Sequence, residues 1–236
     1  MQRTMKAKTG VGIRAFTKIA AWSLLLSCGD GGGNKEAQNK EQGPPTQEVK
    51  ADKKYIIFFG NSLTAGFGVE PDEAFPALIQ QRLESLGLPY TVVNAGVSGE
   101  TTATGNSRVA WVLAQQPVHV FLLELGGNDG LRGIPVTETK KNLLSIIEQV
   151  RRIHPDATII LAGMMVPPNM GPAYSKAFLE LYPSVAKEGN VKLIPFLLKN
   201  VGGEDSLNQA DGIHPTPAGH KVVRDNVWEV LETVVR

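Results

Sequence analysis

Ser62 stands in the segment Phe59-Gly60-Asn61-Ser62-Leu63-Thr64-Ala65-Gly66, directly behind the apolar run 55–59, and far downstream the chain reads Asp211-Gly212-Ile213-His214-Pro215. A serine hydroxyl is a weak nucleophile near neutral pH and needs a base beside it. Histidine supplies such a base, and a carboxylate fixes its tautomer and orientation. Each part has a plain structural use by itself. A serine after a strand is often a helix cap, and Asp-x-x-His-Pro is often a capped turn. Together, in this chain order, they are the parts of an acyl-transfer site built on an activated serine.

The elements that must hold these residues alternate. Apolar runs at 55–59, 91–94, 118–125, 158–166 and 191–197 are mostly continuous, as in strands covered on both faces. Helical patterns lie between them at about 72–86, 100–115, 137–153 and 173–188, and 218–235 closes the chain with Val222, Val223, Val227, Val230 and Leu231 at helical spacing. Five strands alternating with helices predict one three-layer α/β/α domain around a parallel sheet. Ligand sites in such sheets lie beyond the carboxyl ends of the strands. Gly60-Asn61-Ser62, the segment 94–101 and Leu125-Gly126-Gly127-Asn128-Asp129-Gly130 all fall there, and Asp211 and His214 just before the last helix can fold over the same edge.

Four blocks in order, Gly60-Asn61-Ser62-Leu63, Ser98-Gly99-Glu100-Thr101, Gly126-Gly127-Asn128-Asp129 and Asp211-Gly212-Ile213-His214, resemble the SGNH or GDSL hydrolases, in particular the thioesterase/lysophospholipase/arylesterase branch. The resemblance spans about 55–236. It implies a flavodoxin-like fold with a five-stranded parallel sheet, and a serine esterase acting on acyl esters or thioesters. It implies Ser62 as nucleophile with Asp211 and His214 completing the triad. The oxyanion hole it implies comprises the N–H of Ser62, the N–H of Gly99 and the amide of Asn128. Gly96 competes with Gly99 for that role. The stretch Leu131, Arg132, Gly133 and Ile134 corresponds to a substrate loop, and Leu131, Ile134, Met164 and Val166 are candidates for an acyl-binding wall. No metal or organic cofactor is required. One position departs from the family pattern: Asn61 stands where Asp is usual, exchanging a charge for an amide that both donates and accepts. Within the same family a carbohydrate O-deacetylase is an alternative, and a non-catalytic lipid- or glycan-binding lipoprotein is another.

The first 27 residues carry Arg3, Lys6, Lys8, Arg14 and Lys18 and no acid. Taking these five from the 24 basic residues leaves 19 against 23 acidic ones, a net charge of −4. That charge and the scarcity of aromatics exclude a nucleic-acid-binding stripe; the family resemblance implies a small acyl ester or lipid-derived substrate as the partner, and a monomer is expected. The apolar run 19–26 is shorter than the roughly 20 residues a bilayer span needs, so residues 1–27 read as an export signal. Leu25-Leu26-Ser27-Cys28 resembles a bacterial lipobox, with Leu26 in place of the usual small residue, and Cys28 is the only cysteine. The expectation is a lipidated Cys28, a flexible polar tether over 28–53 and a hydrolase domain over 54–236. The membrane would then be engaged through the lipid anchor alone, in the periplasm or at the outer membrane of a bacterium, with a soluble secreted protein as the alternative.

G-x-S-x-G, a P-loop and H-E-x-x-H are all absent from the sequence. His119, His154 and His220 lack a carboxylate at telling spacing and read as structural, as does Asp129.

Overall fold

The computed structural model describes residues 53–236. The apolar runs become strands β1 (Lys54–Gly60), β2 (Tyr90–Gly96), β3 (Val120–Glu124), β4 (Thr158–Ala162) and β5 (Lys192–Ile194). All pair in parallel in the order β2-β1-β3-β4-β5. β1 and β3 are central and buried along nearly their whole length, with Ile56 to Phe59 and Phe121 to Leu123 without solvent contact. That is why their sequences are uninterrupted apolar runs rather than alternating ones.

The helices are α1 (Ser62–Ala65), α2 (Phe75–Ser85), α3 (Thr102–Leu113), α4 (Gly127–Leu131), α5 (Val136–Ile153), α6 (Pro172–Glu188) and α7 (Pro217–Val235). α5 packs on both α3 and α6, while α2 packs on α7. With right-handed crossovers this puts the two groups on opposite faces of the sheet. The expected three-layer architecture is therefore the one observed. Two differences bear on the site: α1 and α4, a single turn each, replace what the sequence suggests are loops. Among the described residues no helix is long and apolar enough to cross a membrane. Cys28, the export signal and nearly all of the tether lie outside the described residues.

Candidate active site

β1 ends at Gly60, and α1 begins two residues later. Asn61 caps this helix, its Oδ1 accepting from the Leu63 N–H at 2.9 Å, as side-chain oxygens at N-caps do. Ser62 thus sits at the first helical position, at the carboxyl edge of the sheet and largely buried. Across the sheet, Gly60 is paired with Glu124, the last residue of β3 and fully buried. The Glu124 carboxylate accepts from the Asn61 backbone N–H (3.1 Å), from Asn61 Nδ2 (2.7 Å) and from the Thr64 hydroxyl (2.9 Å). A side chain at position 60 would collide with Glu124 and with Thr64, so Gly60 is what lets the carboxylate reach under the turn. Burial pushes the Glu124 carboxyl up to about 7, against the opposing pull of its hydrogen bonds from Asn61 and Thr64. The sequence reading missed this residue. Its signal was an acid closing an otherwise apolar central strand.

Asp211 and His214 lie on a hairpin-like loop before α7. Its stem is the antiparallel bridge between Asn208 and Pro215, and the Gln209 N–H donates to the His214 carbonyl at 2.7 Å. Asp211 Oδ1 accepts from the backbone N–H groups of Ile213 (2.9 Å) and His214 (3.0 Å), while its Oδ2 accepts from His214 Nδ1 at 2.6 Å. Backbone and side-chain hydrogen bonds from His214, then that from the Ile213 N–H, hold the Asp211 carboxyl down at about 2. With its proton on Nδ1, the imidazole presents Nε2 as an acceptor, and the Ser62 hydroxyl lies 2.8 Å from it. The three residues named from sequence are joined in one relay.

Two further segments frame Ser62. Asn128, in α4, donates from Nδ2 to the Glu100 carbonyl at 3.0 Å, which places its amide against the Glu100–Thr101 peptide. Asp129, buried behind it, accepts from the backbone N–H of Thr102 at 2.9 Å and from the Thr102 hydroxyl, joining α4 to the start of α3. Glu100 forms a two-pronged ion pair with Arg108 at 2.6 and 2.7 Å, and Arg108 also donates to Ala95 at 2.9 Å and lies over the Phe59 ring. The choice between Gly96 and Gly99 turns on their amides. The Gly96 N–H donates to Asn94 Oδ1 at 3.0 Å and is occupied, whereas among the described residues the amides of Gly99 and Ser62 have no protein acceptor.

The stretch 131–134 is the cap of α4. The Ile134 N–H donates to Asp129 at 3.0 Å and the Gly133 N–H to Gly130 at 3.1 Å, with Gly133 at φ +64°. This is a Schellman motif, which favours glycine at that position. Arg132 reaches from it to the Gly99 carbonyl at 3.1 Å, and Tyr174 holds Ile134 through its carbonyl at 2.7 Å. Of the four residues expected to form an acyl wall, Leu131 is 42% exposed and Ile134 is partly buried. Met164 is buried beside Gly127, and Val166 packs beneath Gly130. Met165, just beyond the end of β4, is 47% exposed.

The other histidines have backbone partners. His119 Nδ1 accepts from the Tyr55 N–H (3.0 Å), His154 Nε2 donates to the Leu113 carbonyl (2.9 Å) and His220 Nδ1 accepts from the Phe75 N–H (3.2 Å).

Comparison with known proteins identifies the family. The model of the GDSL-like lipase/acylhydrolase family matches residues 58–222. Esterase TesA of Pseudomonas aeruginosa is 38% identical over 190 residues, 80% of this chain and 92% of that one. Thioesterase 1/protease 1/lysophospholipase L1 of Escherichia coli K12 is 35% identical over 180 residues, 76% of this chain and 84% of that one. A crystal structure of TesA superposes with a TM-score of 0.74 at 39% identity, covering 77% of this chain and 99% of its own. A family match over most of the folded part, a relative this similar along nearly its whole length and a shared sheet topology lead to one conclusion: the chain belongs to the GDSL-like lipase/acylhydrolase family and is a carboxylic ester hydrolase.

Proposed function

We propose that this hydrolase cleaves acyl esters or thioesters by a two-step transfer in which Ser62 is the nucleophile, His214 the base and Asp211 its orienting acid. The observation that carries the reading is the continuous relay from Ser62 Oγ through His214 to Asp211, at 2.8 and 2.6 Å. His214 Nε2 takes the serine proton as Oγ attacks the carbonyl carbon. The resulting oxyanion is stabilised by the amides of Ser62 and Gly99 and by Asn128. His214 then gives the proton to the leaving oxygen or sulfur, and water attacks the acyl-enzyme by the same route in reverse.

The substrate reading rests on the relatives, whose names include an esterase and a thioesterase/lysophospholipase, and on the exposed apolar side chains of Leu131, at the end of α4, and Met165, beyond β4. The protein is tethered through lipidated Cys28 after export, a reading supported by the charged and apolar pattern of residues 1–28. Two measurements test these proposals. A fluorophosphonate should add to Ser62 alone by peptide mass spectrometry, and Ser62→Ala should lower ester turnover by about 10³-fold or more with the fold intact. Turnover surviving in Ser62→Ala would overturn the assignment. For the anchor, mass spectrometry of the mature N-terminus should find diacylglyceryl-modified Cys28.

A further inference from the structure

We propose that Phe67 is the specificity-determining contact for the alcohol half of the ester, and that it favours aromatic leaving groups. The inference rests on the Ser62–His214 reading and extends it to a part of the substrate that the acyl wall does not touch.

The base in this mechanism must deliver its proton to the leaving oxygen, which therefore comes within hydrogen-bond reach of His214 Nε2. The leaving group extends along the face of the molecule that carries the imidazole, while the oxyanion points toward Gly99 and Asn128. Phe67 borders that face. Its ring centroid lies 4.6 Å from that of His214, tilted by 44°, and the residue is 50% exposed. One part of the ring packs on the imidazole and the other meets solvent beside the place where a leaving group must sit. Ile213, the chain neighbour of His214, is also apolar and is 42% exposed.

The ring is held in position by its backbone. The Phe67 N–H donates to the Ser62 carbonyl at 3.0 Å. The Phe67 carbonyl accepts from Gln209 Nε2 at 2.8 Å, and the same amide group donates to the Pro215 carbonyl at 3.0 Å. Gln209 also pairs through its own N–H with the His214 carbonyl at 2.7 Å. The segment after the nucleophile and the loop carrying the base are thus fastened together, with Phe67 and His214 at the join. An aromatic surface already ordered in the free protein contacts a ligand ring at little entropic cost, and aromatic pairs prefer the offset or edge-on arrangements that an exposed face and edge allow.

The test compares kcat/KM for benzyl acetate and ethyl acetate, which share one acyl group and differ in the alcohol, in wild type, Phe67→Ala, Phe67→Leu and Phe67→Tyr. The expected result is that Phe67→Ala and Phe67→Leu lose about five- to tenfold more on the benzyl ester than on the ethyl ester, while Phe67→Tyr keeps the wild-type ratio. Because each ratio is taken on a single preparation, it does not depend on the fraction of folded enzyme. Equal losses on both esters would mean that Phe67 only braces His214, and would overturn the proposal. So would a change confined to acyl-chain preference in a series of ethyl esters. Fluorophosphonate labelling of Ser62 in wild type separates these outcomes from failure of the mechanism itself: labelling elsewhere sinks the Ser62 reading, whereas labelling at Ser62 with equal losses sinks only the role of Phe67.

Discussion

Asn61 donates a hydrogen bond from its side-chain amide to the carboxylate of Glu124 across 2.7 Å, beneath the turn that carries Ser62. The same side chain caps α1 with its oxygen. An aspartate, usual in the family at this position, could keep the cap but would bring a second carboxylate against the first. One proton would then have to be shared between them. Asn61→Asp is expected to match the wild-type melting temperature near pH 5, where the pair holds its proton. It should lose about 1–3 kcal/mol more than wild type between pH 6 and 9. Thermal melts across that range check this, and parallel curves for the two proteins would show that the amide's neutrality is irrelevant.

Glu124 and His220 oppose each other in the pH dependence of stability. Burial raises the folded Glu124 carboxyl from 4.5 to about 7. Between those values the folded state binds the extra proton, so stability falls as pH rises. Burial first, and the nearby His214 second, depress folded His220 from 6.5 to about 4. There the unfolded state binds the extra proton, so stability rises with pH. Each contribution amounts to roughly 3 kcal/mol, and the two windows overlap between about 4.5 and 6.5. Over that interval their slopes cancel. Denaturant melts should show Glu124→Gln losing stability as pH falls from 6.5, and His220→Asn, whose oxygen can replace Nδ1 as acceptor for the Phe75 N–H, gaining it. Variants with identical slopes would refute the opposition.

The difference between what the sequence displays and what it conceals follows from length and burial. The strands of the sheet centre are legible because both faces are covered, which leaves continuous apolar runs. The runs at 158–166 and 191–197 overstate β4 and β5. Their outer parts are apolar but contain Gly163 and Pro195, and they bond as a loop, with the Leu197 N–H donating to Gly163 at 2.9 Å. α1 and α4 escape notice because one turn is too short to show a 3.6-residue period. Ser62, Asp211 and His214 stand out since their chemistry demands particular residue types. Gln209 and Phe67 do not, because their roles come from backbone carbonyls and ring positions that only the folded chain brings together.

Asn128 is expected to act on the transition state rather than on binding. Its amide is placed by the Glu100 carbonyl, and Asp129 secures the turn beneath it. Asn128→Ala should lower kcat by about 10²- to 10³-fold with KM nearly unchanged, the loss typical of one oxyanion donor. Asn128→Asp should lose at least as much, since a carboxylate would accept where a donor is needed. Steady-state kinetics on a single ester decide the matter, and a kcat within threefold of wild type would remove Asn128 from the oxyanion hole.

Asp211 remains ionised across the working range because hydrogen bonds from His214 and Ile213 hold its carboxyl at about 2. Loss of turnover on mild acidification is therefore not a titration of Asp211. Asp211→Asn isolates the orienting role. The amide oxygen can still accept from the Ile213 and His214 N–H groups, which keeps the loop in place. Its NH₂ would then face His214 Nδ1 and drive the ring proton to Nε2, the nitrogen that must accept from Ser62. The expected loss in kcat at neutral pH is about 10⁴-fold with melting temperature little changed, as wrong-tautomer variants of serine triads show. Asp211→Ala removes the loop's two backbone contacts as well, so it should lose stability in addition to activity. A loss below tenfold in Asp211→Asn would mean that the Phe67 ring and the Gln209 clasp orient His214 without help from the carboxylate.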